Sequence, residues 1–119
     1  MHGGEETAPL PISLFTAGIV TCFMTQLRTF ARKCGVKVTG LKTRAQFDWV
    51  LRRHGQDPYT AHPPLDCIID VEFETEASLE AQMHLVNVAA AACIAEQMLA
   101  VPVKHRLLYD GRWVSCEKA

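Results

Sequence analysis

The spacing of apolar residues changes along this chain, and each change marks an element. Between Pro11 and Gly35 the first half is apolar on nearly every side (Ile12, Leu14, Phe15, Ile19, Val20, Phe23, Met24), while Gln26, Arg28, Thr29, Arg32 and Lys33 give the second half a wet face. That gradient predicts a helix that starts inside a core and ends at the surface, with Cys22 at its middle. Pro11 gives up a backbone donor that a first helical turn leaves unused, and Gly35 after Cys34 supplies a left-handed stop. From Val36 to Leu51 the period shortens to two: Val36, Val38, Ala45, Phe47 and Trp49 alternate against Lys37, Thr43, Arg44, Gln46 and Asp48. This reads as a long half-buried strand, bent near Gly40.

A polar stretch with one Gly and three Pro, residues 52–64, connects to a second strand from Leu65 to Thr75. Cys67, Ile69, Val71 and Phe73 form its apolar face, and Asp70, Glu72 and Glu74 lie on the other. A connection this short and rich in Pro predicts an antiparallel pair. Ser78 then caps a second helix running to about Leu99, with a stripe of Leu79, Met83, Val86, Ala90, Cys93 or Ile94, and Met98. Its run of small side chains, Ala89 to Ala92, permits a close approach to the first helix, which would bring Cys93 near Cys22 if both sulfurs face the shared interface. Val101 to Tyr109 reads as a strand, turned at Asp110-Gly111 into Arg112-Trp113-Val114. The fold class expected is α+β: a long central helix and a second helix packed on a small antiparallel sheet. Two helices and these strands make thin layers, so a partner chain is expected to complete the core. Residues 1–119 are read as one domain, with a flexible lead over 1–10 and a tail over 115–119.

Charge and composition remove several function classes. The formal net charge is -1, without blocks of either sign, so no electrostatic footprint for nucleic acid exists. Residues 7–27 are uncharged, yet Pro9 and Pro11 interrupt them and Glu5 and Glu6 precede them, which fits neither a membrane span nor a signal peptide. A cytoplasmic setting with reduced thiols is expected. The five cysteines contain no Cys-x-x-Cys pair, and none of the five histidines lies four residues from another, so neither a zinc site nor a disulfide framework is predicted. No cofactor motif is present either. Read alone, Cys22 in a buried helix is a small hydrophobe. Cys34 ends a helix, Cys67 sits on a strand's apolar face, Cys116 falls in the polar tail, and the histidines read as surface or satisfied groups.

The lead GGEETAPLPISL, the helix segment LFTAGIVTCF and the second-helix segment AAAACIAEQ occur in an order, with Cys93 placed 71 residues after Cys22, that resembles the OsmC-like family of osmotically inducible and organic hydroperoxide resistance proteins. The resemblance runs from Gly3 to about Val103. Relative to that family the chain reads as starting just before its central helix, without the N-terminal strands, and Ile12 and Ser13 stand after Pro11 where the family carries a Glu. The resemblance implies an intertwined homodimer and a thiol peroxidase. Cys22 would be the peroxidatic thiol, oxidised by an organic hydroperoxide to a sulfenic acid. Cys93 would be the resolving thiol that closes a disulfide, and a dithiol reductant would reopen it. The alternative reading is an OsmC-like dimer that binds a small apolar ligand, or serves a structural role, without turnover.

Overall fold

The computed structural model describes residues 11–48, 66–99 and 101–116. In chain order these form α1 (Pro11–Cys34), β1 (Thr39–Asp48), β2 (Asp66–Glu74), α2 (Leu79–Ala92), α3 (Ile94–Gln97), β3 (Lys104–Tyr109) and β4 (Arg112–Ser115). The four strands make one sheet in the order β1-β2-β3-β4. One sheet face carries Ile69, Val71 and Leu107 into a core shared with Ile19, Phe23, Leu27 and Ala31 of α1 and Leu85, Val86 and Ala89 of α2. The opposite face is polar, and there Arg106 grips Asp70 through two hydrogen bonds of 2.6 and 2.7 Å. The expected α+β architecture is the one observed. The lead 1–10, Trp49, the connection 52–64, residues 117–119 and the histidines at 2, 54 and 62 lie outside the described residues.

The boundary signals acted as local chemistry requires. Gly35 has φ +71°. Its N–H reaches the Arg32 carbonyl at 3.3 Å and that of Val36 the Ala31 carbonyl at 2.9 Å, the paired bonds that close a helix with a left-handed residue. Ser78 accepts the Ala81 N–H at 3.2 Å and caps α2. Asp110 and Gly111, at φ +52° and +77°, make the tight turn between β3 and β4. Cys67, Ile69, Val71 and Phe73 of β2 are buried, and the bend expected in β1 is a register shift between Thr39 and Lys42 at Gly40, φ +63°.

Several expectations are corrected. β1 starts at Thr39 rather than Val36, and Thr43 shares the inner side with Ala45, its hydroxyl buried without a hydrogen bond. β1 and β2 are antiparallel, but β2 and β3 run parallel, so the sheet is mixed. The cause is α2 and α3, which carry the chain back across the sheet as parallel neighbours require. The second helix does not reach Leu99: it ends at Ala92, and beyond the break Ile94 and Met98 turn outward. Cys116 is buried in the core instead of lying in a polar tail. The gradient along α1 is also inverted within one chain. Ile12, Leu14 and Phe15 are exposed, while the buried stripe runs Ile19, Phe23, Leu27, Ala31. No described element covers that first turn and a half.

Candidate functional site

The α1 stripe at intervals of four places Cys22 at the edge of the buried face, beside Phe23 and half-buried against the core. On the neighbouring outer face Thr21, Thr25 and Thr29 each donate their hydroxyls to the carbonyl four residues back, at 2.6, 2.8 and 2.9 Å. Those polar side chains are satisfied inside the helix and make no demand on the thiol.

Cys93 occupies the break between α2 and α3. Its backbone is extended, φ -76° and ψ 105°, so it ends the first helix and begins the second. The break is held by its own bonds: the Cys93 N–H reaches the Ala90 carbonyl at 3.2 Å, and the Gln97 side-chain amide donates to that same carbonyl at 3.3 Å. This turn directs the Cys93 sulfur at α1, 4.0 Å from the Ile19 carbonyl, where it is fully buried. Cys22 and Cys93 thus stand on facing elements, the Cys22 thiol near enough to act on that of Cys93, and both are free thiols. The small residues of α2 face this region, and Ala89 among them is buried in the core that α1 and α2 share.

The surroundings differ for the two sulfurs. Burial pushes the Cys93 thiol up to about 12; a backbone hydrogen bond from Glu96 works against this, and the adjoining Cys22 thiol and Glu96 carboxylate add to it. Glu96 is three residues past Cys93, one turn into α3, and its carboxylate oxygens lie 3.0 and 3.1 Å from Nε2 of His105 on β3. Both side chains are buried. The His105 ring also packs on Phe23, centroids 5.2 Å apart, which links it to the residue next to Cys22. A cavity of about 410 Å³ opens beside the pair, lined among others by Asn87, Glu96, Gln97, His105 and Cys116.

The remaining thiols are placed differently. Cys116 is pushed up to about 11 by burial, against a lowering hydrogen bond from Leu107, and Cys67 is raised by burial and then by Asp66. Such thiols stay protonated and unreactive near neutrality. Cys34 is exposed at the end of α1. Arg28 lies along a separate groove with Arg32 and Lys37. Ile12 and Ser13 line an apolar groove against Ala45 and Phe47 of β1. Among the described residues no group of three or more His, Cys, Asp or Glu converges as a metal site would need, and no helix is long and apolar enough to cross a membrane.

Sequence reasoning passed over Glu96, and its reading of the histidines as surface or satisfied groups holds for His105, which that acid satisfies. Both carried a signal. Cys93-Ile-Ala-Glu96 has the spacing of a helix cap followed by an acid three residues on, the pattern of a helix start rather than a helix interior. His105 shares the inward face of β3 with Leu107, the place where an imidazole must find a partner.

Comparison with known proteins follows the same residues. A family model described as OsmC-like protein matches residues 3–107. Among solved structures, an OsmC-like hydroperoxide resistance protein from Jannaschia sp. CCS1 is 33% identical, with 94% of this chain and 75% of that one covered at a TM-score of 0.65. The organic hydroperoxide resistance protein OhrB of Bacillus subtilis is 22% identical over 86% of this chain and 72% of that one, TM-score 0.65. An OsmC-like protein from Mycoplasma pneumoniae is 12% identical over 89% and 78%, TM-score 0.67, and shares the fold. No protein of curated function matches the chain.

Proposed function

The chain belongs to the OsmC-like family, and on that premise we propose that it is a thiol peroxidase that reduces organic hydroperoxides with Cys22 and Cys93. The observation that supports this reading most is the placement of two free thiols on facing elements, with the Cys93 sulfur turned toward α1 and the Cys22 thiol near enough to act on it. Cys22, the less buried of the two, is the sulfur a peroxide can reach. Its thiolate attacks the terminal peroxide oxygen; the O–O bond breaks, the alcohol leaves with a proton, and Cys22 becomes a sulfenic acid. Cys93 then attacks the Cys22 sulfur, water leaves, and a disulfide closes. An external dithiol reopens it by exchange and is itself oxidised to a disulfide.

The working unit is a homodimer in this reading. Ile12, Leu14 and Phe15 expose large apolar side chains in adjacent turns of α1, an arrangement that a second copy of the chain would cover. The relative named as a hydroperoxide resistance protein and 33% identical supports the substrate class. Treating the reduced protein with one equivalent of cumene hydroperoxide, followed by intact-mass and non-reduced peptide analysis, tests the chemistry. A loss of two hydrogens mapped to a Cys22–Cys93 link is expected. Equal peroxide consumption by wild type and Cys22→Ser would refute it.

A further inference from the structure

The resolving step places a demand on the site that its two sulfurs cannot meet alone. Cys93 is fully buried. Its thiol is pushed up to about 12, chiefly by burial, so at pH 7 the sulfur keeps its proton. An attack by this sulfur at neutral pH therefore needs its proton removed within the site as the S–S bond forms. Among the described residues, the titratable groups that face it are Cys22 from α1 and Glu96 from α3, with His105 of β3 bonded to Glu96 and Cys116, past β4, on the same cavity wall.

We propose that Glu96 and His105 form a proton relay for disulfide closure, in which the Glu96 carboxylate accepts the Cys93 proton and His105 holds that carboxylate and passes the proton on. The proposal rests on the thiol peroxidase reading above. Its geometry has three parts. The cap position of Cys93 sets Glu96 one turn later, its backbone N–H toward the sulfur and its carboxylate near enough to act on the thiol's charge. Nε2 of His105 meets both carboxylate oxygens at 3.0 and 3.1 Å, which fixes the acid's orientation. The cavity of about 410 Å³ is lined by Glu96, His105 and Cys116, so the relay borders space that water can enter. The chemistry balances without a further reactant. The Cys93 sulfur bonds to the Cys22 sulfur, the S–O bond of the sulfenic acid breaks, and the departing hydroxide takes the relay's proton and leaves as water. The backbone N–H of Glu96, hydrogen-bonded to Cys93, is aligned to meet negative charge as it grows on that sulfur.

A buried Glu–His pair with a purely structural role would slow closure equally at every pH when altered. A relay changes the pH dependence. After a pulse of cumene hydroperoxide, closure of the Cys22–Cys93 link is timed by acid quench and mass analysis from pH 6 to 9. Glu96→Gln is expected to close about 10²-fold more slowly at pH 7. Its rate should then climb more steeply with pH than that of wild type, because hydroxide must replace the missing base. His105→Gln keeps a hydrogen-bond donor but cannot take up and release a proton, and should show a smaller loss with the same steepening. In a Cys93→Ser background, dimedone labelling of Cys22 reports the first step separately. Labelling by wild-type-like oxidation combined with an unchanged pH slope in both variants overturns the relay and leaves the peroxidase reading intact. No labelling in that background overturns the peroxidase reading itself. Where Glu96→Gln loses its near-ultraviolet dichroism, the slope of His105→Gln decides alone.

Discussion

Alkaline unfolding offers a direct measure of how deeply the two buried thiols are set. Cys93 is raised from 9.0 to about 12 and Cys116 from 9.0 to about 11, each chiefly by burial. Above pH 9 the unfolded chain releases these protons and the folded chain keeps them. The unfolded state then binds fewer protons, so stability falls as pH rises. The stabilisation is fully present below pH 9 and is lost as pH climbs toward the folded values. One thiol contributes a slope of about 1.4 kcal/mol per pH unit, and two at pH 10.5 together remove about 4 kcal/mol, an order-of-magnitude figure. That is a large share of the ~5–15 kcal/mol that holds a domain of this kind folded. Urea titrations in a reductant at pH 8 and pH 10.5, at one protein concentration, compare wild type with Cys93→Ala plus Cys116→Ala. With a slope near 2 kcal/mol per molar urea, wild type should lose about 2 M more of its midpoint than the double variant over that interval. Tyrosines and lysines titrate in both proteins and cancel in the difference. Parallel midpoint losses would refute the placement of both sulfurs in the dry core.

Two further outcomes follow from packing. Phe23 is fully buried on the α1 stripe with its ring against His105, so Phe23→Ala should cost ~3–5 kcal/mol and be visible as a lowered thermal midpoint; a shift of less than a degree would contradict that burial. Leu14→Ser with Phe15→Ser removes two exposed apolar side chains of α1. Sedimentation should show wild type as a dimer and the variant dissociating at micromolar concentration, and a monomeric wild type would end the dimer reading.

Where neighbours in sequence decide a conformation, the residues announced it. Cys34-Gly35, Ser78 and Asp110-Gly111 mark real ends and turns because capping and left-handed backbone are local properties. The alternation Cys67-Ile69-Val71-Phe73 marks a buried face for the same reason. Position within the whole was less legible. Apolar Ile12, Leu14 and Phe15 look like core in a sequence, but hydrophobicity states a need for burial and not which chain supplies it. The parallel pairing of β2 and β3 depends on where a helix returns the chain, which periodicity within either strand cannot report.

The break at Cys93 shows how a site can be hidden by good helix-forming residues. Neither Gly nor Pro stands there, and the alanines before it and Ile-Ala-Glu-Gln after it favour a continuous rod. Two bonds oppose a continuous helix: the tertiary one from Glu96 to His105 of β3, and the local one from the Gln97 side chain back to the Ala90 carbonyl. The same turn that satisfies the buried acid aims the Cys93 sulfur at α1 and buries it fully. Stability of the break and placement of the second thiol therefore share one cause. A change at Glu96 or His105 acts on the sulfur's position as well as on its proton, which is why a rate alone cannot separate the two roles and a pH slope can.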